Sequence, residues 1–503
     1  MKKKILLILS AVLIFASCED FLNELPEHEW SVDASVSSYD DVKKAVTGIY
    51  ATVMKGDAIG TEMVGRLNVR LGLLFSSTFT YDQTLSNTPA NSPTTLWSTL
   101  YKGINQANFA LESMSKLSDG IYPSPEAKNE IMGEVRFLRG WFHSLVMLNY
   151  CYWWSKNDSS PYGVIYRDKM AVPDNVYAPR LTVGESWKKI FDDIDFGIEN
   201  MSSTFTTSHR VSLIYAKAWK AKLLMIRGKY SDAMELIGDC LNALPAAGIA
   251  MQADMAQHFE QAWDSKENIF VRYLDDDGNR TANAGSTTTN GASIFGTVAN
   301  TAADGSYYPS LKEATAALYF GHSWMSEDPR WPINVGYSRD PAAAGTRNYW
   351  SWTKIFRRGT YAGQYGTPKD EKYALYFMRV PELYIMKAEC LAHNGASYAD
   401  VIAPINQMRA QRTNPVLDPL PVPADKQEMW DAIFHEYANE LILENGCVYF
   451  AAMRIPHDGV SYYESIRSSQ SLLVDSTKIQ LPIPQAEIIN NKALEGMQNP
   501  GQE

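Results

Sequence analysis

Cysteine is scarce in this 503-residue chain: Cys18, Cys151, Cys240, Cys390 and Cys447 are all there is, and no two form a Cys-x-x-Cys pair. That argues against a disulfide-dense scaffold and a thiolate metal site, and the last four read as small buried hydrophobes. The eight histidines are dispersed, with no His-Glu-x-x-His. A Gly-x-x-x-x-Gly-Lys-Ser/Thr loop and a Gly-x-Ser-x-Gly elbow are also missing, so phosphate-loop, metalloprotease and hydrolase chemistries have no motif to rest on. Asp275-Asp276-Asp277-Gly278-Asn279 offers hard oxygen ligands, but it lacks the spacing and closing glutamate of an EF-hand and reads as an acidic turn. No cofactor or metal is expected. Basic charge is short as well: 46 Lys and Arg stand against 57 Asp and Glu. Nucleic acid is therefore not an expected partner, nor is an anionic membrane surface.

What is present begins with a leader. Lys2, Lys3 and Lys4 precede an apolar run from Ile5 to Phe15, then Ala16-Ser17-Cys18. This is an export signal, and the run is too short to span a bilayer. Phe15-Ala16-Ser17-Cys18 looks like a bacterial lipobox, so Cys18 is the expected lipidation site and first mature residue, with residues 1–17 removed. The alternative is an ordinary secretory cut at Ala16 or Ser17. Without the three leader lysines, 43 basic against 57 acidic residues leave −14. Residues 18–39, acidic at Glu19, Asp20 and Glu24 and then Ser/Asp-rich, bury little and read as a tether.

From residue 40 to 244 the apolar spacing is helical. Val42, Ala45, Val46, Ile49, Tyr50 and Val53 form one stripe over residues 41–54. Further helices are expected over 96–117, 126–150, 183–201 and 212–227, with Trp97 a core residue at the start of the first. Residues 76–95, polar around Phe79 and Tyr81, read as a long surface loop. Alanines at 216, 218 and 221, then Gly228-Lys229-Tyr230-Ser231-Asp232-Ala233, resemble the middle of a tetratricopeptide repeat. A second such hairpin is expected over 382–393 and 399–412, inside a C-terminal helical region from 373 to 503. The fold class is mainly α: stacked tetratricopeptide-like hairpins whose neighbours bury one another.

Between them, over 245–372, the helical period mostly fails. Residues 275–310 are Asp-, Gly-, Asn-, Thr-, Ala- and Ser-rich, and 319–365 alternates aromatics with Gly, Pro and Arg. Such an irregular insert between regular arrays suggests a recognition surface on a rigid support, or a subdomain with a small core of its own. In the C-terminal region Glu436, Glu440 and Glu444 share a helix face at i, i+4 and i+8 and repel one another unless cations answer them. Arg379, Arg409, Arg412 and Arg454 are the expected answer, giving a structural network and no paired-carboxylate active site.

Several stretches carry a family resemblance: Cys18-Glu19-Asp20-Phe21-Leu22-Asn23-Glu24-Leu25-Pro26, Glu134-Val135-Arg136-Phe137-Leu138-Arg139-Gly140, Arg379-Val380-Pro381-Glu382-Leu383-Tyr384, Ile405-Asn406-Gln407-Met408-Arg409, and Leu481-Pro482-Ile483-Pro484 with Glu487 and Gln498-Asn499-Pro500-Gly501. In order along the mature chain, they resemble the SusD/RagB family of outer-membrane lipoproteins. The family's helix ending in Glu-Gly and a following basic run is altered here, with Asn445 between Glu444 and Gly446 and only Arg454 of that run.

The resemblance implies a SusD-like fold and a protein that is not an enzyme: lipid-anchored in the outer membrane facing the cell exterior, binding a glycan (oligo- or polysaccharide) and handing it to a SusC-like TonB-dependent barrel. On the same scaffold, a peptide or other non-glycan nutrient, or a purely structural lid, are the alternatives. Aromatic rings would meet the C–H faces of pyranoses. By location the expected ligand residues are Tyr81 in the early loop, Tyr307 and Tyr308 in the glycine-rich stretch, and Trp324, Trp331 and Trp350 in the insert.

Overall fold

The helical periods become, in chain order, α1 (Tyr39–Met54), α2 (Met63–Leu71), α3 (Thr80–Thr84), α4 (Thr94–Lys116), α5 (Pro125–Tyr150), α6 (Val183–Asn200), α7 (Leu213–Ile226), α8 (Tyr230–Ala243) and α9 (Met255–Glu260). Strand β1 (Asn268–Tyr273) is followed by short helices α10 (Ser323–Ser326) and α11 (Trp331–Asn334), strands β2 (Val335–Asp340) and β3 (Arg347–Trp352), and strand β4 (Ala374–Arg379). Then come α12 (Val380–His393), α13 (Tyr398–Arg409), α14 (Lys426–Leu441), α15 (Cys447–Arg454), the two-residue strands β5 (Pro456–His457) and β6 (Val460–Ser461), α16 (Tyr462–Ser469) and α17 (Gln485–Asn490). The computed structural model describes residues 36–54, 58–73, 79–273, 322–340, 347–352, 354 and 374–502. Cys18, Tyr307, Tyr308 and the acidic run 275–277 lie outside them. No helix of the described residues is long and apolar enough to cross a membrane.

Helix α5 is the pillar. Ser124 caps it by accepting from the Ala127 N–H at 3.2 Å, and Pro125 needs no amide partner in the first turn. From Phe137 to Tyr150 every residue is buried, which marks a helix packed on all sides. Two neighbours approach through glycines. A Cβ on Gly103 of α4 would sit 2.3 Å from the Phe142 ring, and one on Gly197 of α6 would lie 2.6 Å from Phe137 Cβ and 3.0 Å from the Gly133 carbonyl oxygen. Arg139 ties the α5–α6 contact with a two-pronged bond to Asp193, each arm 2.7 Å, and Arg136 adds a third at 2.8 Å. Burial alone would raise the Asp193 carboxyl, but Arg139 outweighs it and holds the group below its ordinary range.

The hairpins stack outward from α5. Helices α7 and α8 turn at Gly228 (φ +74°), and α12 and α13 at Gly395 (φ +78°), both left-handed positions that favour glycine. Ala216, Ala218 and Ala221 are fully buried, so α7 packs with its backbone close to its neighbours. Next, α8 packs on α12, α12 on α14 and α14 on α15. The four cysteines at 151, 240, 390 and 447 are buried and unbridged, as expected. Burial pushes the Cys151 thiol up to about 11 and Cys240 to about 12, which makes them poor nucleophiles.

Two features differ from the sequence expectation. Within the stretch read as a surface loop, Thr80–Thr84 forms α3, with Phe79 and Asp82 buried; Asp82 accepts from Arg66 and Arg70, which a solvated loop would not need. The insert also leaves and re-enters through a buried antiparallel ribbon. β1 pairs with β4, and every residue of β4 is buried. Phe270 and Phe377 stack at 4.9 Å and meet Trp141 of α5 edge-on.

The C-terminal segment is a clasp. Asn499, fully buried, donates to the carbonyls of Tyr150 and Leu481 at 3.0 Å each and accepts from Arg180 at 2.9 Å. Gln498 and the Ile483 backbone exchange two bonds of 2.9 Å, and Arg70 donates to the carbonyls of residues 478, 479 and 480. The end of the chain is thereby fixed to α2 and α5.

Substituting Gly197→Ala tests the α5–α6 contact. The obstructing atoms are backbone and Cβ atoms that cannot swing aside, so overpacking should cost about 1–3 kcal/mol and lower the thermal midpoint. An unchanged midpoint would show that α5 and α6 separate freely.

Candidate ligand surface

The site is built on α14. Glu436 and Glu440 lie on it, while Glu444 falls just beyond its end, so the expected single helix face carries two of the three glutamates; all three carboxylates are buried. Together with Glu267 and Asp328 they meet five cations: Arg330, Lys354, Arg379, Arg409 and Arg412. Glu436 receives Arg330 at 2.6 Å and Arg409 at 2.8 Å, while Glu444 receives Arg379 at 2.7 Å and Lys354 at 2.6 Å. Glu440 lies between Arg330, Arg379 and Arg412. Arg379 and Arg412 also share Glu267, just before β1.

The sequence expectation of a structural network holds, with one correction. Arg454 does not join it: its guanidinium bonds Glu389 of α12 at 2.7 and 2.9 Å, and Tyr437 donates to the same carboxylate. Arg454 is the last residue of α15, which starts after the left-handed Gly446 (φ +66°) and brings it to Glu389 of α12. Arg330, Lys354 and Glu267 were not anticipated, because each joins from far along the chain.

Ion-pair partners explain the ionisation. Burial alone would raise Glu267, but Arg412 and Arg379 outweigh it and hold the carboxyl at about 2. Burial lowers Lys354 to about 8 against the opposing pull of Glu444. Each of the carboxylates of Glu436, Glu440 and Glu444 is engaged by cations, which suits a support and not a proton-transfer pair.

What this support holds is the insert. Arg330 and Lys354 both belong to it, and Lys354 also donates to the carbonyls of Glu440 and Ile442 at 2.6 and 2.9 Å. Asn439 donates to the Trp324 carbonyl at 3.1 Å, and Asn334 to the Asn439 carbonyl at 2.8 Å. The Trp324 ring stacks on His435 at 4.1 Å, nearly parallel, and meets Phe434 edge-on. Trp324 and Trp331 are thus half-buried against the core. Trp350 lies on β3, opposite Tyr337 in the ladder, with Trp352 opposite Val335. Tyr81 is 52% exposed on α3. The same short helix α16 touches both regions: Arg467 near its end donates to the Gln83 carbonyl beside Tyr81, and Tyr462 at its start stacks on Phe434 beneath Trp324.

Three of the eight histidines, His322, His435 and His457, also gather here. His322 stacks on Trp324, and His457 lies against Tyr462 and bonds Asp431 at 3.0 Å. Burial lowers His435 to about 4. They are 22 to 135 residues apart in the chain, so spacing gives no signal of the cluster. Among the described residues no group of His, Cys, Asp and Glu is arranged to hold a metal ion.

Two expected outcomes follow. Arg330→Ala leaves Glu436 and Glu440 short of a buried counter-charge, so it should cost about 3–5 kcal/mol and raise amide exchange over residues 322–334; unchanged protection there would mean that the segment is held by other contacts. The second is a pH dependence. Burial keeps His143 and His258 neutral down to about 3, against 6.5 when unfolded. Between those values the unfolded chain binds protons that the folded chain refuses, so stability falls as pH drops below 6.5, by about 1.4 kcal/mol per pH unit for each group. Glu267, at about 2 folded and 4.5 unfolded, adds a further loss below 4.5. A thermal midpoint scanned from pH 7.5 to 3 should fall below 6.5 and steepen below 4.5; a flat curve down to pH 5 would mean that the imidazoles charge in place.

Comparison with known proteins places this geometry. Residues 20–224 match a SusD-like family model described as starch-binding, associating with outer membrane, and residues 242–501 match the model of the SusD family. A SusD-like protein of Bacteroides ovatus is 24% identical over 246 residues, 46% of this chain and 41% of that protein, so the match spans about two-fifths of the relative. Solved structures align along nearly the whole chain. A SusD superfamily protein from Bacteroides thetaiotaomicron has a TM-score of 0.67 at 17% identity, covering 92% of this chain and all of the other. A laminarin-binding SusD-like protein has a TM-score of 0.65 at 18% identity, covering 93% of this chain and all of the other.

Proposed function

Because the chain belongs to the SusD/RagB family, we propose that it is a lipoprotein, anchored through Cys18 on the outer face of the outer membrane, that binds an oligo- or polysaccharide and delivers it to a SusC-like TonB-dependent transporter. The observation that carries the binding step is the fastening of an aromatic-rich insert to a buried, charge-balanced helix. Arg330 and Lys354 fix it to α14, and the β2–β3 register sets positions 335, 337, 350 and 352, a valine, a tyrosine and two tryptophans, on one face of the ladder. Rings on a rigid support stack on pyranose faces at little entropic cost. The laminarin-binding relative supports a glycan as the ligand. The reading includes no catalytic step, since Glu436, Glu440 and Glu444 are committed to arginine and lysine. On it, residues 1–17 are a signal peptide, 18–39 a tether, 40–244 and 373–503 the helical scaffold, and 245–372 the ligand-bearing insert with Tyr307 and Tyr308.

A retardation gel against a broad polysaccharide panel tests this. One polymer should be retained selectively, and Tyr81→Ala with Trp350→Ala should weaken retention while leaving the thermal midpoint unchanged. Trp324→Ala should lower both, because its ring is stacked on His435. Undiminished retention in the Tyr81/Trp350 double variant would remove the aromatic surface as the site. Peptide binding in place of any polysaccharide would move the ligand class to a non-glycan nutrient, and co-purification with the barrel without any ligand would leave a structural lid.

A further inference from the structure

Away from the insert, a cavity of about 200 Å³ opens between α4, the segment 165–176 and α17. Its floor is apolar: Tyr101, Ile104, Ile165 and Val176. Its charge runs against that of the protein. In a chain of net charge −11, two cations line the cavity, Arg167 and Lys169, against one carboxylate, Glu487. Neither cation is neutralised by an acid among the described residues. Arg167 donates only to the carbonyls of Asn175 and Val176, and Lys169 has no ion-pair partner there. Glu487 is held from the side by Trp97 and Asn491 at 3.3 Å each, with no cation on it. Arg180, outside the lining, bonds the carbonyls of Gly163 and Met497 and the side chain of Asn499. Two cations without an acidic partner therefore face one carboxylate across a small cavity with an aromatic wall, which leaves the lining net positive. Asn105 keeps its oxygen on the Ala171 N–H at 2.8 Å, leaving its amide donor for a ligand, and Asn490 lies exposed at the rim.

We propose that this cavity is a second ligand site, which takes a single acidic sugar residue, a hexuronate. The carboxylate lies on Lys169 and Arg167, the ring lies against Tyr101 and Val176, and the hydroxyls bond Asn105, Asn490 and Glu487. A cavity of this size takes one ring and excludes a chain threaded through it. The site stands whether or not the insert binds a polymer, and it would mark the protein as a reader of charged glycans.

Calorimetric titration of the purified mature chain with D-glucuronate, and separately with D-glucose, tests it. Glucuronate should bind in the millimolar range and glucose about tenfold more weakly or not at all, because only the former gains charge-assisted bonds. Lys169→Glu, at an exposed position without a partner, should reduce glucuronate affinity about tenfold or more with the thermal midpoint unchanged. Asn105→Ala should weaken glucuronate without restoring glucose. Equal affinity for the two sugars, an unaffected Lys169→Glu variant, or no heat with glucuronate at 50-fold the millimolar range would each overturn the proposal. Polysaccharide retention measured on the same Lys169→Glu protein should be unchanged, so failure of one site is distinguishable from failure of the other.

Discussion

The interaction on which the rest depends is the buried ion cluster along α14. Five carboxylates and five cations lie together out of water, and moving one such ion inside costs several kcal/mol after relaxation. The cluster is tolerable only when the charges match and the remaining lone pairs and protons find partners. That condition makes it a specificity device more than a source of net stability. The partners come from the loop before β1, from β4, from α13 and its end, and from two points in the insert. Leaving out any one strands an opposite charge, so the five segments assemble as one arrangement. Apolar contacts alone would allow them to slide.

The clasp at the C-terminus works on the same principle with neutral groups. Asn499 is fully buried, with both its donor and acceptor sides bonded, and ties Leu481 near the chain's end to Tyr150 and Arg180, more than 300 residues away from it in sequence. Gly501 follows at φ +73°, a conformation open to glycine at little cost. Each position of this motif meets a geometric demand that few residues satisfy, which is why it is readable as a signature in the sequence.

Legibility followed the range of the forces. Helices α1, α4, α5, α6, α7 and α12 end within two residues of where periodicity places them, because a helix face is a local property. The i, i+4 spacing of Glu436 and Glu440 was readable for the same reason, whereas Glu444 lies beyond the end of α14. Among their partners Arg379, Arg409 and Arg412 were legible, but Arg330 and Lys354 were not. Arg330 lies 106 residues from Glu436 and Lys354 lies 86 from Glu440, separations at which any cation is as plausible as another. Arg454 was the nearest choice in sequence and went elsewhere, because the left-handed turn at Gly446 sends α15 towards α12. The β1–β4 ribbon escaped notice for a related reason: two short apolar runs a hundred residues apart are not a strand pair until the chain brings them together. In the candidate surface, aromatic composition pointed to the insert, but spacing carried no trace of the histidines that close around Trp324.

The division of labour between scaffold and surface follows from where the charges sit. If the ligand were met by the α14 carboxylates, each change of ligand would unbalance the cluster and cost several kcal/mol of fold stability. Here those groups are buried and paired with cations, two of which, Arg330 and Lys354, belong to the insert. Aromatic positions exchange shape and stacking area without altering buried charge. A surface of this kind can be re-specified through the insert while α14, its five cations and the hairpin stack stay as they are. Helix α16 reaches Gln83, beside Tyr81, through Arg467 and Phe434, beneath Trp324, through Tyr462, and Arg467 is itself held on the carbonyls of Arg70, Gln83 and Leu473. The spacing between these two regions is therefore set by the scaffold and not by either loop alone.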